Sequence, residues 1–167
     1  MTRSLTFWVP GTPVAQGRPR AFKDKAGNIR VFSPDKATAW KQVVATYAQK
    51  ALAADGWARP ERKEPIHVDV VFVFRRPKSA PKRNPPTYKV TKPDRDNLEK
   101  AILDAMKWAG VYDDDSQVTR GSIWKIYSAD REGAWVRVMT GLLPVPDWMA
   151  SFGLSAPQSE VGTLELL

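Results

Sequence analysis

From Leu98 to Ala109 the chain repeats apolar residues at helical spacing, Leu98, Ala101, Ile102, Ala105, Met106 and Ala109, and the pattern stops at Gly110. That period predicts an amphipathic helix that opens just after Pro93 and ends at the glycine. A second helical period, Ala37, Trp40, Val44, Tyr47, Ala48 and Ala51, predicts a helix with Ser33 as N-cap and Pro34 at its first position, ending near Gly56. Strands are predicted at Leu5 to Val9 and, most strongly, at Ile66 to Phe74, which reads IHVDVVFVF. Val118 to Tyr127 and Ala134 to Thr140 read as a terminal hairpin turning at Asp130 to Gly133, and Ala21 to Phe32 as a basic, hairpin-like segment. Trp8, Trp40, Trp124 and Trp135 fall inside these elements and are expected in the core rather than stacked on bases. Leu103 and Trp108 lie off the main stripe of their helix, where a second subunit would cover them.

These elements predict an α+β fold: a single domain over residues 1–140, with a mixed β-sheet and two main helices packed on it. Residues 141–167 carry Pro144, Pro146 and Pro157 and no periodicity. They are expected to form an irregular C-terminal extension, surface-lying or partly disordered.

Composition narrows the chemistry. The 167 residues are 43% hydrophobic, enough for one sizeable core, and no apolar run is long enough to span a membrane. The opening MTRSLTFWVPGTP lacks the apolar stretch of a signal peptide, so a soluble, cytoplasmic protein is expected. The chain has no cysteine, which removes thiol nucleophiles, iron–sulfur clusters and cysteine-held zinc. Its one histidine, His67, sits in a predicted strand and reads as a core or rim residue rather than a ligand. No G-x-x-x-x-G-K-[ST] phosphate loop is present.

A net charge of +8 points to a polyanionic partner. Arg75 to Lys92 holds seven basic residues, no acidic ones and four prolines. Arg75, Arg76, Lys82, Arg83 and Lys92 are its candidate DNA contacts, against the plainer reading of a solvated linker. A second basic stretch, Arg18, Arg20, Lys23, Lys25 and Arg30, is punctuated by Gly11, Gly17 and Gly27 and would either wrap a phosphate backbone or form a hairpin. Nothing after Arg137 is basic, so the tail is not expected to touch nucleic acid.

Against this cationic background the acid is concentrated around one helix. Asp94 and Asp96 precede it, Asp104 lies on it, and Asp113, Asp114 and Asp115 follow it. At about 100° per residue, Asp96, Lys100 and Asp104 fall on successive turns of the face opposite the apolar stripe. A short antiparallel return is expected to bring the triple aspartate back beside Asp94 and Asp96. Such a cluster would suit Mg²⁺, which takes hard oxygen ligands and keeps several waters. Each group also has a bland reading. Asp94 or Asp96 would be a helix N-cap, Lys100 an i,i+4 ion-pair partner, and the triple aspartate a solvated turn.

The run Asp94, Arg95, Asp96, Asn97, Leu98, Glu99, Lys100, followed by Asp114, Asp115, Ser116, Gln117, Val118, resembles the D-x-D-N-L-x-K and D-D-x-Q-V signature of the RusA family of Holliday-junction resolvases. The stretch VPGTPVAQGRPR, Val9 to Arg20, is similar to phage-type members. The resemblance implies a Mg²⁺-dependent endodeoxyribonuclease, with Mn²⁺ as a substitute ion. Asp94, Asp96 and Asp115 would be its essential metal-binding carboxylates, Lys100 a catalytic lysine and Asp114 an accessory ligand. It also implies a homodimer that acts on branched DNA, above all four-way junctions. The alternatives are a nuclease for flaps, forks or phage packaging intermediates, and a non-catalytic basic DNA-binding protein.

Overall fold

The computed structural model describes residues 3–17, 20–23, 26–32, 35–83, 85, 87–141 and 152. In chain order they form β1 (Arg3–Pro10), β2 (Arg20–Lys23), β3 (Ile29–Phe32), α1 (Asp35–Asp55), β4 (Ile66–Arg75), α2 (Arg95–Ala109), a 3₁₀ turn (Asp115–Gln117), β5 (Val118–Ser128) and β6 (Gly133–Thr140). The expected α+β class holds: β1, β6, β4 and β5 make one mixed sheet in that order, and β2 pairs with β3 in a separate ribbon. The capping expectation for Ser33 and Pro34 lies outside the described residues, as does almost all of the C-terminal extension. Among the described residues no helix is long and apolar enough to cross a membrane.

The terminal hairpin is a correction. β5 and β6 are not neighbours, because β4 lies between them, antiparallel to β6 and parallel to β5. β4 carries apolar side chains on both faces, with Ile66, Val68, Val70, Phe72 and Phe74 pointing one way and Val71 and Val73 the other. Such a strand loses least when it is flanked on both edges. The parallel β4–β5 pair also needs a long crossover, and α2 supplies it.

Both helices cover one face of the sheet. Trp40, Val44 and Ala48 of α1 and Leu98, Ile102 and Met106 of α2 join Leu5, Phe7, Val70, Phe72 and Val136 in a single core. Burying each large α2 side chain contributes about 1.5–3 kcal/mol, which is what holds the crossover against the sheet. The helix ends where its period ends. Gly110 takes φ 82°, a left-handed cap whose N–H donates to Lys107 and Met106 carbonyls.

The other face is laid out by the strand register in rows across all four strands. Thr6, Arg137, Asp69 and Ser122 form one row, and Trp8, Trp135, Val71 and Trp124 the next. Trp40 is buried as expected, but Trp124 and Trp135 are 49% and 42% exposed. They are surface residues of this open face, which corrects the expectation that they belong to the core. Leu103 packs against the core, whereas Trp108 is 54% exposed.

Candidate active site

Asp94 occupies the N-cap position of α2 with extended backbone, yet its side chain makes no capping hydrogen bond. The capping explanation for this residue therefore covers its backbone and leaves its carboxylate free. Asp96 lies in the first turn, and Asp94, Asp96 and Lys100 are all exposed. Among the described residues no side-chain hydrogen bond or ion pair engages any of the three. Lys100 is thus not the ion-pair partner of Asp104, which is bonded instead to Lys41 of α1 at 3.5 Å. The positive end of the helix dipole favours anionic groups at this end.

Two neighbouring segments frame that end of the helix. The Gln16 N–H donates to the Asn97 carbonyl at 2.9 Å, so the stretch after β1 runs past the first turn. The Gln16 Oε1 is buried and without a partner among the described residues. On the other side Lys125 of β5 donates to the Thr91 and Pro93 carbonyls at 2.9 and 2.7 Å. These bonds fix the entry to Asp94.

The basic segment is partly ordered by the sheet edge. Lys89 N–H donates to Lys125 O, Tyr127 N–H donates to Thr87 O, and Tyr88 bridges Ile126. Its second half therefore runs as an irregular extra strand along β5. Arg75, Lys82, Arg83 and Lys92 are exposed, while Arg76 is half-buried and its Nε has no partner among the described residues. Lys23 is exposed on β2, the Arg20 side chain is not among those described, and Arg18 lies outside the described residues.

The far end of α2 is organised differently. Asp113 is paired with Arg59. Asp114 caps the 3₁₀ turn, accepting from Ser116 N–H at 3.0 Å, and binds the Lys107 ammonium at 2.5 Å. The Lys107 bond, helped by Ser116, holds the Asp114 carboxyl well below the usual carboxylate range, and the same bond raises Lys107. Gln117 is buried. Its Oε1 accepts from Asp113 and Asp114 N–H, and its Nε2 donates to the Glu61 and Glu64 carbonyls. Asp115 alone of the three is exposed and without a side-chain partner among the described residues. Asp114, expected as an accessory ligand, is bonded to Ser116 and Lys107.

The structure does not bring the two acidic groups together within one chain. After α2 the chain turns at Asp115 and runs back antiparallel to the helix as β5, parallel to β4, but the triple aspartate stays at the turn and it is Lys125 that arrives beside Pro93. The 15 residues of α2 separate Asp94 and Asp96 from the triple aspartate by about 22 Å at about 1.5 Å per residue. The strand gives the same answer, since Lys125 touches Pro93 and lies about 23 Å along β5 from Val118 at about 3.3 Å per residue. Among the described residues no three His, Cys, Asp or Glu side chains are grouped closely enough to hold an ion.

A polar cluster on the open face was missed. Asp69 accepts from Ser122 N–H and Oγ–H, lies 2.8 Å from His67 Nε2, and takes Nε and Nη2 of Arg137 on its other oxygen. Burial by itself would raise its pKa, but the bonds from Ser122, Arg137 and His67 outweigh burial and hold it well below the usual range. The available signal was the placement of His67 and Asp69 at alternate positions of an otherwise apolar strand.

Comparison with known proteins places these residues in context. The family model described as endodeoxyribonuclease RusA matches residues 10–139. An uncharacterized protein of Bacillus subtilis (strain 168), YqaN, is 35% identical over 136 residues, covering 75% of this chain and 89% of that protein.

Proposed function

Because the chain belongs to the RusA family of endodeoxyribonucleases, we propose that it cuts four-way DNA junctions in a reaction that depends on Mg²⁺, through Asp94, Asp96, Lys100 and Asp115. The observation that carries this reading is the uneven use of charge. Asp69, Asp104, Asp113 and Asp114 each have a cationic partner. Asp94, Asp96 and Asp115, with Lys100, stand exposed with no side-chain hydrogen bond or ion pair among the described residues. Beyond the helix dipole that favours Asp94 and Asp96, no side-chain bond among the described residues accounts for these carboxylates; a ligand that binds them would explain their placement.

The donor set suits a hard divalent ion. Asp94 and Asp96 offer two carboxylates within one turn, as many as Mg²⁺ commonly takes from protein, and Gln16 adds an unpartnered amide oxygen to this end of the helix. Bound there, the ion would lower the pKa of a water and offset charge growing on the phosphoryl oxygens. The chain's own residues do the remaining work. Lys100, one turn along the helix, holds a fixed positive charge for the scissile phosphate or its leaving oxygen, and it favours the transition state over the ground state. The N-terminal dipole of α2 attracts the same phosphate. Lys92 and the basic edge beside β5 steer the backbone toward it.

A complete set of three carboxylates requires a second copy, because about 22 Å of helix separates Asp115 from Asp94. Two α2 helices running antiparallel about a two-fold axis set Asp94 and Asp96 of each copy beside Asp115 of the partner subunit. The exposed Trp108 on α2 gives that pairing an apolar contact. The result is two equivalent sites, which matches a junction that must be nicked on two opposed strands.

Initial cutting rates on a synthetic four-way junction, a flap and a linear duplex, each with and without Mg²⁺, test the substrate and the ion together. The junction is expected to be cut fastest and only with the metal; equal rates on linear duplex would overturn the reading.

A further inference from the structure

We infer that the open face of the sheet carries a slot for an unpaired DNA base, built by Trp124 and Trp135 on either side of Val71. The three residues lie in one register row, Trp124 on β5 and Trp135 on β6, with β4 between them. Two strand spacings separate the indoles at their roots by about 9.6 Å. A sandwiched base needs about 7 Å, twice the stacking distance of about 3.4 Å, so a modest inward lean of the rings closes on it. The open pocket that spans both rows, from Asp69, Ser122 and Arg137 to Val71, Trp124 and Trp135, has a volume of about 220 Å³, room for a single planar base.

The surroundings favour a nucleic-acid strand over an apolar occupant. Each indole is braced from outside: Trp135 by Trp8 at 5.2 Å between ring centroids, and Trp124 by Tyr88 at 6.2 Å in a stacked arrangement. The adjoining row supplies charge. Arg137 is 53% exposed and spends Nε and Nη2 on Asp69, which leaves Nη1 for a base edge or a phosphate. Asp69 is saturated by Arg137, Ser122 and His67 and does not oppose an anion as a bare carboxylate would. Arg131 lies over Trp8 at 5.7 Å and extends the positive rim.

The slot and the proposed cutting end lie on opposite faces of the sheet and are joined around the β5 edge by the segment from Tyr88 to Asp94. Tyr88, which braces Trp124, is six residues before Asp94, a path of at most about 20 Å along the chain. A strand with a base seated between the tryptophans would reach Asp94 by passing around the β5 edge. Duplex DNA hides its base faces, whereas a branch point can offer an unstacked one, so the slot would prefer strands that are unpaired or opened at a branch. The inference rests on DNA being the substrate but not on the metal reading, and its test is made without metal.

The test uses the full chain in EDTA, with a fluorescent single-stranded oligothymidylate and a blunt duplex of equal length as probes. Oligothymidylate should quench the tryptophan fluorescence. Trp124→Ala and Trp135→Ala should each weaken single-strand affinity at least about fivefold more than duplex affinity, as removal of one stacked base implies. Trp124→Phe, which keeps an aromatic face and a folded edge strand, should retain most of the affinity. Equal losses on both probes, or an unchanged single-strand affinity in Trp124→Ala, would overturn the slot. So would a change in molar mass of Trp124→Ala by light scattering without DNA, because the face would then be a contact between copies.

Discussion

The two ends of α2 carry similar acid and use it in opposite ways. At the N-terminal end Asp94 and Asp96 face solvent, with no side-chain bond among the described residues, even from the helix that Asp94 begins. At the C-terminal end Asp113 and Asp114 are consumed by Arg59, Lys107 and the cap of the 3₁₀ turn. Asp115 makes no side-chain hydrogen bond or ion pair among the described residues, although its charge is felt by Lys107. Equal residue type thus does not mean equal role. A carboxylate with a partner stabilises a turn, while one without a partner in a basic protein is available to a ligand.

The largest expected effect comes from the free end. Asp96→Asn keeps the side-chain volume and removes one proposed ligand charge, so it should abolish Mg²⁺-supported cutting of a junction while binding measured in EDTA stays intact or tightens. The same should hold for Asp94→Asn and Asp115→Asn. Substantial cutting by any of them would remove the distinction between the two ends.

Mixing variants probes whether the ends meet across a dimer. A heterodimer of Asp96→Asn with Asp115→Asn puts both lesions in one composite site and leaves the other intact. The mixture should regain single-strand nicking that neither variant shows alone. If each site were built within one chain, every site would carry a lesion and the mixture would stay inactive.

Lys100→Ala should lower the cutting rate at least about tenfold, or roughly 1.4 kcal/mol of transition-state stabilisation, with little change in junction affinity or melting temperature. A loss of stability with normal cutting would instead make it a helix-surface lysine. The basic edge should act on binding alone. Replacing the exposed Arg75, Lys82, Arg83 and Lys92 with alanine should flatten the slope of log affinity against log salt by about 0.9 for each phosphate no longer neutralised. An unchanged slope would move the DNA surface to the β2–β3 ribbon.

The smallest effect belongs to the spent end. Asp114→Asn should lower the melting temperature at neutral pH, because it weakens the cap and the Lys107 pair, while the folded protein still cuts. The Asp114 carboxyl is held below its ordinary range by Lys107 and Ser116, so its contribution is present above the unfolded pKa of about 3.9. That contribution disappears as pH falls further through the folded value. The gap in melting temperature between wild type and Asp114→Asn should therefore shrink below about pH 4. A gap independent of pH would mean that charge is not what the cap uses.

Local order was readable from the chain because it is set by local chemistry. The α2 period from Leu98 to Ala109 and its stop at Gly110 follow from 3.6-residue spacing and one left-handed glycine. The β4 run announced a strand, and Asp94 through Lys100 with Asp114 through Val118 announced the family. Strand partners were not readable, since period two says which residues share a face but not which strand lies alongside. Only the tertiary structure inserted β4 between β5 and β6, made β5 the return strand after α2 so that Lys125 and not the triple aspartate reaches the other end, and set Asp115 at the far end of the helix from Asp94. It also decided which sheet face the helices cover. Trp40 went into the core with α1, while Trp124 and Trp135, equally apolar in sequence, were left on the open side, because burial depends on what packs above a residue and not on the residue alone.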